Sequence, residues 1–377
     1  MKRSSPKIAI VHDWLTNMGG AENVVLELAK AFPHAPIYTS TYTPESMPAF
    51  ANLDVRTTYL QKLPKPLQKL HKLFPMLRVR AFRKLDLSEF DIIFSSSSAE
   101  SKQVQKTRQG QIHICYCHTP IRYYWSHYKE YKQDPGFGWL NWLVRLSMPL
   151  LVPGLKKKDY EAAQQVDVFI ANSTAVQKRI KQYYGRPSTV VHPPVDTKRF
   201  NPARMRGDFY VAVGRQVPYK RIDLAVGAAT KLKLPLKVFG DGSEHQKLVA
   251  MAGPTVEFFT DRNGDASNAA VTDAFNMSKG FFFPSEDDFG IVAIEALAAG
   301  SPVIAYGKGG ALDIIQDGQN GVLFDSQTVS SVVATVKKLE ARRFMPATLQ
   351  RSAKRFDSVL FKSKIQRIVH TTMEDTR

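Results

Sequence analysis

Short apolar runs recur along the chain and alternate with stretches of helical period. The first run, Lys7 to Val11, leads into a Gly19-Gly20 turn and then into Val24, Val25, Leu28, Ala29 and Phe32, whose recurrence at three- and four-residue steps predicts a helix. Further strand candidates follow at Pro36 to Tyr42, Phe90 to Ser95, Gln111 to Cys117 and Val166 to Ala171. A second set runs through Phe209 to Val213, Pro235 to Phe239, Val256 to Phe259, Phe281 to Phe283, Val303 to Tyr306 and Val322 to Phe324. Continuously apolar strands separated by helical stretches are the pattern of a parallel sheet covered on both faces, so the fold class expected is α/β, in two successive domains. Between the sets, His192-Pro193-Pro194-Val195 interrupts helix and sheet alike and places a linker at 192–202. Phe356 to Met373 reads as a terminal helix.

Length agrees with this division, because 377 residues exceed what one hydrophobic core usually holds. With 44% apolar and 23% charged residues the chain is of ordinary globular composition, which excludes disordered, collagenous and low-complexity classes. Lys and Arg outnumber Asp and Glu by 52 to 34, a formal charge of +18 that favours phosphorylated ligands, anionic lipid surfaces or polyanions without choosing among them. Cys115 and Cys117 lie two apart, a spacing that cannot close an ordinary disulfide, and a reducing, cytoplasmic location is expected. Residues before Ile8 lack the apolar core of a secretion signal, and the apolar stretch Trp139 to Val152 is broken by Asn141, Arg145 and Pro149, so any membrane contact is expected to be peripheral.

Three motifs carry chemistry. Gly19 and Gly20 follow the first strand and precede a helix, where backbone N–H groups can approach a diphosphate; a turn that merely links strand to helix is the alternative. Val213-Gly214-Arg215 ends a strand and Tyr219-Lys220-Arg221 opens a helix, delivering two cations five residues apart that can grip a diphosphate and stabilise its charge as it leaves, unless they are only solvated surface. In Pro284-Ser285-Glu286-Asp287-Asp288-Phe289-Gly290 the loop is acidic and the helix after it, Ile291-Val292 onward, has N–H groups able to receive an anion. Acidic capping of that helix would explain Glu286, Asp287 and Asp288 equally well. Glu295 is different: it lies inside the helix among Ala293, Ile294, Ala296 and Leu297, where a carboxylate is costly to bury unless something binds it.

In order along the chain, Val11-His12-Asp13-Trp14-Leu15, Tyr116-Cys117-His118-Thr119-Pro120, Ala171-Asn172-Ser173, His192-Pro193-Pro194-Val195-Asp196, Val213-Gly214-Arg215 with Pro218-Tyr219-Lys220-Arg221, Phe239-Gly240-Asp241-Gly242 and the Phe289-to-Gly300 block resemble the retaining glycosyltransferases of family 4. Within them the likeness is to the bacterial branch of GDP-mannose-dependent mannosyltransferases of O-antigen and capsule synthesis. That resemblance implies a GT-B fold: two Rossmann-like domains facing across a cleft, with an acceptor-side domain over 1–191, a nucleotide-sugar-binding domain over 203–355, and a helix over 356–377 that returns to the first domain. It implies that Arg215 and Lys220 hold the diphosphate, that Glu295 binds the ribose hydroxyls and Asp287 the sugar, that Phe289, Gly290, Ile291 and Val292 complete the donor site, and that His118 sits against the transferred sugar. The family pairs two glutamates eight positions apart; here the first is Asp287, one methylene shorter, and Glu286 beside it is the alternative partner. His118 can instead be core packing, or part of a metal site with His113, Cys115 and Cys117, although strand alternation explains that spacing.

The activity implied is transfer of a hexose, mannose from GDP-mannose, to a hydroxyl of a lipid-linked or oligosaccharide acceptor, with retention and with no metal or other cofactor. A UDP-sugar transferase or related GT-B epimerase keeps the same fold; a silent sugar-nucleotide binder or a nucleic-acid binder does not need the chemistry. No zinc-finger spacing or aromatic-glycine RNA motif supports a nucleic-acid partner. Lys62 to Lys84 mixes leucines with eight cations and no acid, a composition suited to an anionic membrane surface or to a solvated helix interrupted by Pro64, Pro66 and Pro75.

Overall fold

The computed structural model describes residues 6–64, 68, 74–133, 135–136, 138–260 and 266–375. The chain forms two compact units, Met1–Pro193 with Phe361–Arg377, and Pro194–Leu360.

The first unit holds a seven-stranded sheet of β1 (Ile8–His12), β2 (Ile37–Thr39), β3 (Val55–Thr57), β4 (Ile92–Ser97), β5 (Ile112–Cys117), β6 (Val168–Ala171) and β7 (Thr189–Val190), in the order β3-β2-β1-β4-β5-β6-β7. Every pairing is parallel. The second unit has six parallel strands, β8 (Tyr210–Val213), β9 (Leu236–Phe239), β10 (Val256–Phe259), β11 (Gly280–Phe283), β12 (Val303–Tyr306) and β13 (Gly321–Phe324), in the order β10-β9-β8-β11-β12-β13. Strands buried on both faces explain the unbroken apolar runs: Ile8, Ala9, Ile10 and Val11 are all buried. The winding reverses between β1 and β4 in one unit and between β8 and β11 in the other, and such switch points leave a crevice beyond the carboxyl ends of the strands.

β3 and β7 were not expected from the sequence. Both are edge strands of two or three residues with mostly exposed or half-buried positions, so neither carries an apolar run. Residues 194–202, expected as linker, belong to the second unit: Val195 and Phe200 lie in its core, and Val195 N–H donates to the Phe356 carbonyl at 2.9 Å. The terminal helix, Ser358–Asp375, places Phe361, Ile365 and Val369 in the core of the first unit.

The stretch 62–84 divides. Lys65, Leu67, Lys69, Leu70, Lys72 and Leu73 lie outside the described residues. Pro75–Arg83 is a helix whose Val79, Ala81 and Phe82 are buried, and Arg78, counted with the surface cations, is instead buried against Glu100 at 2.7 Å. Lys62, Arg80 and Lys84 are exposed. The Trp139-to-Val152 stretch mostly enters a helix, Asn141–Gln165; among the described residues no helix is long and apolar enough to cross a membrane.

On β5, Cys115 and Cys117 are buried thiols that pack with Ala163, Phe169, Val176 and Tyr184, while His113 Nε2 meets Ser95 Oγ at 2.8 Å. Burial holds the His113 pKa down at about 3, against the attraction of Asp167. A base that stays neutral when folded loses stability to acid: below its ordinary value near 6.5 the unfolded chain takes a proton that the native imidazole refuses, down to about pH 3. Unfolding free energy should therefore fall between pH 6.5 and 4.5 by roughly 2 kcal/mol more in the parent than in His113→Gln, by denaturant titration. Parallel pH profiles would show that His113 does not carry this dependence.

Candidate active site

In the first unit the switch point is built around Asp13. The residue follows β1 and is fully buried, yet its carboxylate accepts four bonds: from Ser98 N–H at 2.7 Å, Ser98 Oγ at 3.0 Å, Ala99 N–H at 2.9 Å and Ser101 N–H at 2.8 Å. Burial alone would raise its pKa, but His12 and these donors reverse that and lower it. The loop after β4 is thereby pinned across the crevice.

His12 ends β1. Its Nδ1 lies 3.0 Å from the Ser96 carbonyl, so that nitrogen carries the proton, and its Nε2 lies 3.5 Å from Glu22 Oε1. Burial pulls the His12 pKa down; Glu22, Asp13 and the Ser96 carbonyl outweigh it and the net shift is upward. Ser96 also meets the second histidine, its hydroxyl lying 2.8 Å from His118 Nε2. His118 follows β5, is 9% exposed, stands edge-on to Tyr116, and is held from behind by Asn172, whose Nδ2 donates to its carbonyl at 2.8 Å. One serine thus orients both rings. Gly19 is the N-cap of the helix Gly20–Ala31 and both glycines are exposed; a Cβ at Gly19 would stand 2.9 Å from the Glu22 carboxylate, so the helix's positive end already faces an acid.

The second unit gathers the remaining predicted residues at its own switch point. Val213 ends β8 and Arg215 follows it, exposed, donating to Tyr219 Oη at 2.5 Å. Lys220, in the turn Pro218–Lys220, is half-buried and pairs with Asp287 at 2.5 Å. Asp287 lies in the loop after β11, and its carbonyl accepts from Gly310 N–H at 2.8 Å. Glu286, the alternative partner, is exposed. Phe289 is buried against Phe356, and Gly290 is the N-cap of the helix Ile291–Ala298 with φ of +108°. A side chain there would also meet the Phe283 ring, so glycine is required twice over. Ile291 and Val292 open the helix, half-buried.

Glu295 is one turn further, its side chain 16% exposed, and it accepts from Arg199 Nη2 at 2.6 Å. Burial raises the Glu295 pKa and Arg199 opposes the rise. The carboxylate that the sequence leaves without a partner is therefore paired by a residue that sequence reasoning missed. Arg199 sits in the turn Thr197–Arg199 with its guanidinium over the Phe200 ring, four residues beyond the proline pair's Val195; read as linker, it gave no signal. Asp13 and Ser96 were missed as organisers for a related reason, since their partners are distant in sequence.

Two doubly wound parallel sheets, with histidines at one switch point and paired cations and carboxylates at the other, define an α/β protein of the GT-B class. Residues 18–199 match the family described as Glycosyltransferase Family 4 and residues 195–356 match Glycosyl transferases group 1; the chain belongs to these glycosyltransferases. It is 26% identical over 213 residues to a D-inositol 3-phosphate glycosyltransferase of Geodermatophilus obscurus, covering 48% of this chain and 47% of that one. It is 31% identical over 204 residues to the GDP-mannose-dependent alpha-(1-6)-phosphatidylinositol monomannoside mannosyltransferase of Mycolicibacterium smegmatis, covering 46% and 53%. The chain thus spans about half the length of these curated relatives. In fold it is similar to Anabaena HepE in complex with UDP and glucose, with a TM-score of 0.69 and 17% identity over 97% of this chain and 100% of that one. The sucrose-phosphate synthase of Thermosynechococcus elongatus is similar too, with a TM-score of 0.70 and 16% identity over 98% and 100%.

If Glu22 is what lifts His12, Glu22→Gln should lower the imidazole pKa, because burial then prevails. Proton NMR titration of the histidine ring signals measures this, and an unmoved His12 would reassign the cause.

Proposed function

We propose that the chain is a retaining glycosyltransferase that moves mannose from GDP-mannose to a hydroxyl of a lipid-linked or oligosaccharide acceptor, with no metal ion or other cofactor. The observation that carries the reading is the second unit's switch point, where Lys220 faces Asp287, Arg215 stands beside them and a glycine-capped helix begins. A diphosphate brought there meets two cations and the N-terminal end of that helix, which is what a leaving phosphate needs as its charge grows. The bond from the anomeric carbon to the phosphate oxygen breaks, the acceptor oxygen bonds the same face of that carbon, and the acceptor's proton passes to the departing phosphate. Lys220 and Arg215 hold that phosphate. Asp287 keeps Lys220 aimed and, once phosphate shares the cation, is released towards the sugar hydroxyls. Glu295 is assigned to the ribose, and His118 to the transferred sugar.

The likeness to a mannosyltransferase named for GDP-mannose and a phosphatidylinositol mannoside supports the donor and a lipid acceptor, while HepE, solved with UDP and glucose, makes UDP-glucose the competing donor. Nucleic acid has no part in this reading, and the protein works at the cytoplasmic face of a membrane.

A donor panel decides between them. GDP-mannose should raise the melting temperature more than UDP-glucose, UDP-galactose or UDP-N-acetylglucosamine, since a ligand that binds only the native state stabilises it by mass action. Arg215→Ala and Lys220→Ala should each lower turnover on the order of 100-fold. Unchanged turnover in both would remove them from the mechanism. Glu295→Gln should weaken binding of GDP alone, whereas Asp287→Ala should chiefly impair transfer; equal GDP affinity in Glu295→Gln would overturn the ribose assignment.

A further inference from the structure

The helix Asn141–Gln165 is apolar on two opposite sides. Met148, Val152 and Leu155 are buried with Val79, Ile121 and Tyr124. Advancing about 100° per residue, Trp142, Leu143, Leu146 and Leu150 fall on the other side, within about 100° of one another. These four are 57%, 50%, 65% and 83% exposed, far beyond scattered surface leucines. From Asn141 to Lys158 there is no acidic residue, and the cations Arg145 and Lys157 are exposed beside the apolar stripe, Lys157 continuing its line, while the Lys156 ammonium lies over the Trp125 ring. The helix Pro75–Arg83 extends the surface: exposed Met76, Leu77, Arg80 and Lys84 line one shallow depression with Lys158.

We propose that this face docks the first unit on an anionic membrane, with Trp142, Leu143, Leu146 and Leu150 entering the interface and Arg145, Lys157, Arg80 and Lys84 meeting lipid phosphates. Leucine and tryptophan flanked by cations are what an interfacial helix presents to a bilayer. Charge selects lipid over a second copy of the chain, because a two-fold contact on this patch would set its cations largely against themselves, the run 141–158 holding no acid and Glu161 standing a turn beyond Lys157. For its purpose, bringing a lipid-carried hydroxyl to the enzyme, the proposal rests on the transferase reading; for its chemistry it rests on the surface alone. It also shifts the centre of the membrane contact from the Lys62-to-Lys84 stretch, where Arg78 is committed to Glu100 and only Arg80 and Lys84 are retained, to a longer helix beside it.

Vesicle flotation of the full chain tests this, on phosphatidylcholine with and without phosphatidylglycerol, at low and high salt. The parent should float with the anionic vesicles and less so as salt rises. Leu146→Glu with Leu150→Glu, both outward-facing, should reduce flotation at least ~10-fold with an unchanged melting temperature. Arg145→Gln with Lys157→Gln should lower flotation at low salt and reduce its salt dependence. No flotation of the parent, or equal flotation of the leucine variant, overturns the proposal; so does a parent that is dimeric without lipid and becomes monomeric in that variant. Donor binding, followed by thermal shift without vesicles, separates the two readings. Flotation without donor binding defeats the transferase and leaves the surface, and donor binding without flotation does the reverse.

Discussion

Asp13 shows what a parallel sheet requires at its switch point. β1 is hydrogen-bonded on both sides to strands that diverge beyond it, and the loop after β4 must cross that gap with its N–H groups turned inward. Buried N–H groups need acceptors. A single carboxylate supplies them, and the loop so fixed returns Ser101 Oγ to the carbonyl of Ser96, the β4 residue paired with His12, whose carbonyl and hydroxyl meet His12 and His118. The histidines are set by the sheet register that puts Ser96 beside them, and the acid holds the loop that follows.

The most enclosed ion pairs of the first unit differ from those at the switch point of the second. In the first, Arg78–Glu100 and Lys102–Asp159 are almost wholly sealed, with side chains no more than 2% exposed, and tyrosine hydroxyls or a tryptophan N–H complete the carboxylates' bonding. Such pairs lock a structure, because removing one partner leaves an uncompensated charge. In the second unit Lys220–Asp287 and Arg199–Glu295 remain between 13% and 39% exposed. A ligand can reach these and exchange partners with them. The first unit's buried polar network sets shape, and the second's holds charge in readiness.

Much of this was legible in the sequence. Every strand candidate named became a strand, because strands covered on both faces are apolar over most of their length; β3 and β7 escaped because an edge strand bears no such requirement. The segments that carry Arg215, Lys220 and Asp287, and the helix that carries Glu295, were legible because glycine and charge cluster there. Pairing was not. Lys220 meets Asp287 across 67 positions, and nothing in either segment names the other. Arg199 was hidden by the prolines before it, which read as a linker although Val195 and Phe200 are core.

The terminal helix makes the first unit discontinuous in sequence. Phe361, Ile365 and Val369 fill a core otherwise assembled from residues before 194, whereas the second unit is one uninterrupted segment from 194 to 360. During synthesis on the ribosome, therefore, the order of completion is the reverse of the order of translation. The second unit has all its residues first, and the unit begun at the N-terminus waits, with an apolar groove uncovered, until the chain has been extended past position 369.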